Sequence, residues 1–211
     1  MSEAVVGRPM LASTRPITYQ PFELYPAAFT PKQCARIVAT GLALEAEEGA
    51  LEGTDGGGVT DDDIRMSRTA WVPPTDDTWW IYDKLAKVAE KANRRYGFEL
   101  SGFSEDLQFT HYDEPGSFYD WHQDGLDGEV ANRKLSIVVQ LSDPADYGGG
   151  ELQFFDVVHD YDDDQADNFS HHVSQLGTAI VFPSFEYHRV LALRRGVRYS
   201  LVCWVSGPAF R

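Results

Sequence analysis

From residue 105 onward, apolar residues either alternate with polar ones or form short unbroken runs, each closed by glycine, proline, serine or aspartate. That texture predicts β-structure. Candidate strands are Leu107–Tyr112, Phe118–His122, Lys134–Leu141, Glu151–Phe155, Ser170–Val173, Thr178–Phe182, His188–Leu191 and Tyr199–Val205. Eight short strands suggest a jelly roll, in which two packed sheets leave a mouth at one end for a metal and a ligand.

Upstream the spacing changes. Apolar positions Leu85, Val88, Ala89, Ala92 and Tyr96 step by three and four, which predicts a long amphipathic helix over Thr75 to Tyr96, stopping at Gly97. Trp79 and Trp80 in its first turn read as packing anchors. Thr30-Pro31-Lys32-Gln33 supplies a cap, a proline at the first helical position and a glutamine to close a capping box. A helix follows with the stripe Cys34, Ile37, Val38 and Leu42, and Phe22 to Tyr25 is a plausible first strand. The stretches Gly49 to Asp63 and Asp160 to Asp167 read as loops or turns, and residues 1–20 as a lead-in without assigned function. The expected fold is mainly β with flanking helices. Residues 105–211 form a double-stranded β-helix (jelly roll) core, and residues 1–104 form an N-terminal support region of the same domain.

A chain of 211 residues with 43% hydrophobic content suits one domain with a sizeable core. Its net charge of −15 disfavours nucleic acid as a partner. The acid is concentrated in Glu45 to Asp63 and Asp156 to Asp167, neither of which contains Lys or Arg; both read as solvated loops, with 156–167 a candidate lid. No apolar run reaches membrane-spanning length, and the first twenty residues lack a basic segment followed by an apolar one, so a cytoplasmic protein is expected. Cys34 and Cys203 offer no disulfide framework and read as buried apolar residues, which suits a reducing compartment.

The stretch Tyr119-Asp120-Trp121-His122-Gln123-Asp124 offers an imidazole and a carboxylate two residues apart, on one face of a strand. Pro183 to Val190 adds His188, and two histidines with one carboxylate make the facial triad of non-haem Fe(II) oxygenases. Arg198 lies ten residues after His188, and Ser200 shares its strand face. Tyr119, Trp121 and Trp204 could line a substrate pocket, although core packing is the commoner use of such residues. Gln108 and Gln140 lie on strands expected to face the mouth. Arg65, Arg68 and Trp71 read as an edge strand with solvated arginines, a pocket rim being the alternative. Arg194 and Arg195 read as solvated turn charges, and His111, His159, His171 and His172 as structural or surface residues.

The motif H-x-D, a distant histidine and a basic residue ten positions later resembles the 2-oxoglutarate/iron(II) dioxygenases of the prolyl 4-hydroxylase-like group. The resemblance covers residues 105–211, including Gly149-Gly150-Glu151-Leu152, the stretch Gly177 to Ser184 and the terminal Trp204-Val205-Ser206-Gly207-Pro208. It implies iron held by His122, Asp124 and His188, with 2-oxoglutarate and O2 as co-substrates and ascorbate as an optional reductant. Arg198 would grip the far carboxylate of 2-oxoglutarate, Ser200 would add a donor, and Tyr112 matches a tyrosine that often bonds the same carboxylate. The implied reaction hydroxylates a prolyl or other amino-acid side chain, in a peptide or a small molecule, releasing succinate and CO2. A carboxylate at Asp124 favours hydroxylation over halogenation.

Two other readings stand beside this one: a jelly-roll module that binds metal and ligand without turnover, and a jelly-roll isomerase or hydrolase using a divalent metal. Substrate choice is expected to rest on residues 49–74 and 143–172; oligomeric state is left open.

Overall fold

The computed structural model describes residues 20–49, 51–52, 58–59, 64–126 and 128–209. Residues 1–19 of the lead-in and most of the Gly49 to Asp63 loop therefore lie outside the described residues. Strand β1 (Glu23–Tyr25) leads to helix α1 (Pro31–Leu42), opened by the predicted capping box of Thr30 and Gln33. Short strands β2 (Glu47–Glu48), β3 (Leu51–Glu52), β4 (Gly58–Val59) and β5 (Arg65–Met66) precede β6 (Arg68–Val72). Helix α2 (Trp79–Tyr96) ends on Gly97, whose φ of 70° is the left-handed cap that glycine adopts without a Cβ clash.

The β-region then runs β7 (Gly102–Phe103), β8 (Leu107–Tyr112), β9 (Phe118–His122), β10 (Arg133–Gln140), β11 (Gly148–Gly149) and β12 (Leu152–Phe154). Helices α3 (Phe155–Asp160) and α4 (Asp163–Val173) intervene before β13 (Ala179–Pro183), β14 (His188–Val190), β15 (Leu193–Arg195) and β16 (Arg198–Ser206).

The strands form a jelly roll. A major sheet runs β1-β13-β10-β16-β8-β6-β2, and a minor sheet runs β12-β14-β9-β5. Alternation along the central strands divides their side chains between two apolar clusters. Leu107 and Phe109 of β8, Leu135, Ile137 and Val139 of β10, and Leu201, Cys203 and Val205 of β16 pack with Ile37 of α1 and Ile81 and Leu85 of α2. The intervening residues Val138 and Ile180 face the other way and pack with Leu152, Phe154 and Val190 of the minor sheet. Every strand of the major sheet's centre is thus buried on both faces. That is why the polar residues that punctuate it, such as Ser136, Gln140, Arg198 and Ser200, are buried too.

Seven of the eight predicted strands are present within two residues of their expected ends. The eighth, Ser170–Val173, belongs instead to α4. The acidic Asp160 to Asp167 stretch is not a turn either, because its aspartates start that helix. Asp162 caps it, with Gln165 closing a capping box, and Asp163 and Asp164 sit at the positive end of the helix dipole. Phe169 and Val173, four apart, bury one face. Two apolar assignments also change. Leu42 is 52% exposed and Gly41 takes its place, fitting so closely that a Cβ there would lie 2.3 Å from the Phe109 ring. Trp79 is 50% exposed, whereas Trp80 packs on Phe29 and under the Arg36 guanidinium.

Both cysteines are buried and unpaired, as expected. Burial pushes the Cys34 thiol up to about 11 and raises Cys203 further. Neither thiol is expected to react with iodoacetamide near neutral pH in the folded protein, and both should react in denaturant; mass spectrometry of alkylated protein checks this.

Candidate metal centre and its cavity

Strand β9 pairs with β14 so that His122 stands opposite His188 and Tyr119 opposite Val190. Three steps on one strand match two on the other. The extra residue is a bulge, and it restores Tyr119 and His122 to the same inner side although they are an odd number of residues apart. Immediately after β9, the amides of Asp124 and Gly125 both donate to the Ser184 carbonyl, at 2.9 Å each, which folds the Asp124 side chain back toward the histidines.

Each imidazole is oriented by its own chain. His122 Nδ1 lies 2.7 Å from the Asp120 carbonyl and His188 Nδ1 lies 2.9 Å from the Glu186 carbonyl. A carbonyl accepts only, so the neutral form of each ring carries its proton on Nδ1 and presents Nε2 as the ligating atom. Those atoms point at one place: His122 Nε2 is 3.6 Å from Asp124 Oδ1, and His188 Nε2 is 3.7 Å from Asp124 Oδ2. One ligand atom from each of the three residues lies within 4.8 Å of the others, and no other such cluster of His, Cys, Asp or Glu occurs among the described residues. Asp124 Oδ2 is buried without a hydrogen-bond partner. A buried carboxylate oxygen facing the Nε2 atoms of two imidazoles is what a divalent cation satisfies, so these residues fit the metal that the sequence motif implies.

Burial alone would push the Asp124 carboxyl up, but the neighbouring His188 and His122 and its hydrogen bonds outweigh that and hold it well below the usual carboxylate range. His188 goes the other way for a histidine, since burial and the adjacent His122 lower it from 6.5 to about 4 despite Asp124. An ionised carboxylate beside a neutral imidazole is the protonation state that metal binding requires. It also sets a pH dependence. Between 6.5 and about 4 the unfolded chain binds a proton at His188 that the folded chain refuses, so metal-free protein is expected to lose stability as pH falls through that window. Thermal melts of the metal-free protein across it, against His188→Gln, check the slope.

The cluster opens into a cavity of about 580 Å³ that is lined by all six residues singled out from the sequence: Tyr112, His122, Asp124, His188, Arg198 and Ser200. Arg198 is 1% exposed. Its Nη2 donates to Gln140 Oε1 at 3.0 Å, while Nε and Nη1 have no hydrogen-bond partner. Its register partner across the sheet is Tyr112, whose ring lies 5.2 Å from the guanidinium carbon, and Ser200 pairs with Thr110. Gly150 makes room for this side chain, since a Cβ there would lie 3.0 Å from Arg198 Cδ.

Gln108, Tyr119 and Trp204 line the cavity as well, but Trp121 does not: it faces outward, half-buried, under the Arg189 guanidinium. Arg65 corrects the expectation of solvated arginines. It is buried against the cavity, lies over the Tyr119 ring at 4.6 Å, and donates to Ser67 Oγ at 2.8 Å and to Gln108 Oε1 at 3.1 Å. Arg68, by contrast, is solvated and pairs weakly with Asp113 at 3.5 Å. Arg133 was not anticipated. It pairs bidentately with Glu105, stacks on Trp204 at 3.8 Å and donates to the Asp124 carbonyl at 2.9 Å. The only signal in the sequence was an arginine placed just ahead of a strand, one position out of phase with Lys134.

Comparison with known proteins agrees with this geometry. Residues 107–206 match the model of the 2OG-Fe(II) oxygenase superfamily. A PKHD-type hydroxylase of Caulobacter sp. (strain K31) is 38% identical over 86 residues, which is 40% of this chain and 33% of that protein. One from Picosynechococcus sp. is 34% identical over 100 residues, 47% of this chain and 41% of the relative. The chain thus spans less than half the length of these curated relatives. A prolyl-4-hydroxylase of Pseudomonas putida superposes with a TM-score of 0.61 at 20% identity, covering 90% of this chain and 94% of that one. A prolyl hydroxylase of Trichoplax adhaerens, solved with a hypoxia inducible factor peptide, gives 0.64 at 16% identity over 88% and 83%. Among the described residues, no helix is long and apolar enough to cross a membrane.

Proposed function

We propose that this chain, whose residues 107–206 match the 2OG-Fe(II) oxygenase superfamily and whose fold resembles that of a prolyl-4-hydroxylase, hydroxylates an unactivated C–H bond of a prolyl or other amino-acid side chain, in a peptide or a small molecule. Succinate and CO2 are the co-products, and ascorbate is an optional reductant. The observation that carries the reading is one cavity holding both a three-ligand metal cluster and a buried arginine with two unpartnered donor atoms.

In this reading His122, Asp124 and His188 would hold Fe(II) at the wall of the cavity. The metal with 2-oxoglutarate and O2 supplies the oxidising power, and the chain binds, orients and shields. Arg198 fixes the far carboxylate of 2-oxoglutarate through Nε and Nη1, in a setting dry enough for a charge-assisted hydrogen bond to be strong. Gln140 holds the guanidinium in that orientation. Tyr112 and Ser200, its neighbours on the inner face, border the same carboxylate. The two Nδ1–carbonyl bonds keep both imidazoles in the ligating tautomer. Residues 105–211 form the catalytic core, while α1 and α2 brace the outer face of the major sheet as part of the same domain.

The test is an anaerobic titration of metal-free protein with Fe(II) and then 2-oxoglutarate, followed by succinate release with prolyl peptides and with free amino acids. A visible charge-transfer band that needs both components, and succinate formed with one substrate class, supports the proposal. Iron binding without the band points instead to a metal-binding module or a different metal enzyme.

A further inference from the structure

The wall that holds the metal ligands has a second face. Along β9, β14 and β12 the residues between the inward ones, Trp121, Arg189 and Gln153, point outward, and Arg189 stacks on Trp121 at 4.5 Å while donating to Gln153 at 2.9 Å. Phe155 and Tyr187 extend this face. Phe155 meets Trp121 edge-on at 5.7 Å, Tyr187 at 6.5 Å and His159 at 4.1 Å, and the Phe155 amide donates to the Tyr187 carbonyl. Phe155 and Tyr187 are 46% and 49% exposed, and Val158 on the next turn of α3 is 40% exposed. An aromatic surface of this kind, left open to water, marks an interaction site.

Its chain neighbours are acidic. Asp120 precedes Trp121, Asp156 follows Phe155, Asp160 follows His159, and Asp162, Asp163 and Asp164 come directly after. All but the half-buried Asp156 are exposed. Ring faces bordered by carboxylates suit cationic side chains, which gain a cation–π contact and an ion pair together. Arg189 on Trp121 is an internal example of the contact.

We propose that the outer face of the minor sheet, centred on Phe155 and Tyr187, is a docking surface for a basic segment of a partner polypeptide, lysine- or arginine-bearing. The inference goes beyond the oxygenase reading and does not depend on it, because binding can be measured without turnover.

The probe is a fluorescein-labelled peptide of alternating arginine and glycine, with an alternating glutamate and glycine peptide as control, titrated by fluorescence anisotropy into full-length metal-free protein. Overall negative charge alone would attract the basic probe, so the variants must separate field from surface. Phe155→Ser with Tyr187→Ser leaves the charge intact and removes two rings; it is expected to weaken binding about tenfold or more. Asp160→Lys with Asp163→Lys is expected to weaken it too. Asp76→Lys with Asp77→Lys, the same charge change at exposed positions ahead of α2, should leave most of the affinity. Equal losses from the two lysine pairs, or none from the serine pair, overturn the proposal in favour of diffuse attraction. Sedimentation of the unliganded protein gives the remaining outcome: self-association abolished by the serine pair shows that a second copy covers the face, and overturns it as well.

Discussion

Arg198→Leu is expected to raise the 2-oxoglutarate concentration needed for half-saturation by about thirtyfold or more, without weakening the fold. Removing one partner of a buried, hydrogen-bonded charge pair costs about 2–5 kcal/mol, and about 1.4 kcal/mol is tenfold in affinity. The effect on stability runs the other way. A guanidinium that is 1% exposed, with only Gln140 as hydrogen-bond acceptor, is a desolvated cation in the co-substrate-free protein. A leucine of smaller volume removes that desolvation, as buried ionic groups replaced by apolar ones often show. Melting curves with and without 2-oxoglutarate, with Fe(II) present, test both halves. Wild type should gain stability on addition through ligand linkage, and the variant should start no lower and gain nothing. A variant that still responds like wild type removes Arg198 from the co-substrate site.

Asp124→Asn is expected to lower Fe(II) affinity by more than about 100-fold and to abolish turnover. Disturbing a group that only orients a metal ligand costs about 10–100-fold, and loss of the anionic ligand itself should exceed that. The amide keeps the volume but cannot supply the negative charge that the two neutral imidazoles lack. The metal-free variant should still fold, because the backbone amide of Asp124, which anchors this turn to Ser184, is untouched. Equilibrium dialysis against Fe(II) under anaerobic conditions, with circular dichroism of the same sample, separates lost ligation from lost structure. Wild-type iron affinity in the variant would displace Asp124 from the metal face.

The metal cluster was legible because its signal is local: a two-residue spacing, a strand phase and a fixed distance to a basic residue survive in one dimension. Strands with strong alternation or glycine boundaries were legible for the same reason. The Ser170–Val173 error has a physical origin. Four residues cannot distinguish strand from helix by period, and the decision lay upstream in Asp162 and Gln165, whose capping box was hidden inside what reads as an acidic turn. Arg65 and Arg133 were missed because an arginine beside a strand looks the same whether solvated or folded under a neighbouring sheet; their partners Gln108, Glu105 and Trp204 lie far away in the chain. Plain alternation from the inward His122 already turns Trp121 outward and would turn Tyr119 outward too; the bulge that brings Tyr119 inside is what nothing in the sequence announces.

That bulge shapes how this protein can evolve. A deletion between Tyr119 and His122 would leave them two apart, the spacing at which a plain strand keeps both side chains on one side, whereas straightening β9 at its present length would put them on opposite sides. Loss of one residue, the common currency of divergence in surface loops, is therefore open to this segment too. Replacement falls unevenly: Tyr119 and His122 are held by the cavity, whereas Asp120 and Trp121 can change with whatever meets the outside. One stretch of four residues therefore has two independent rates of drift, with a free pair enclosed by a held one.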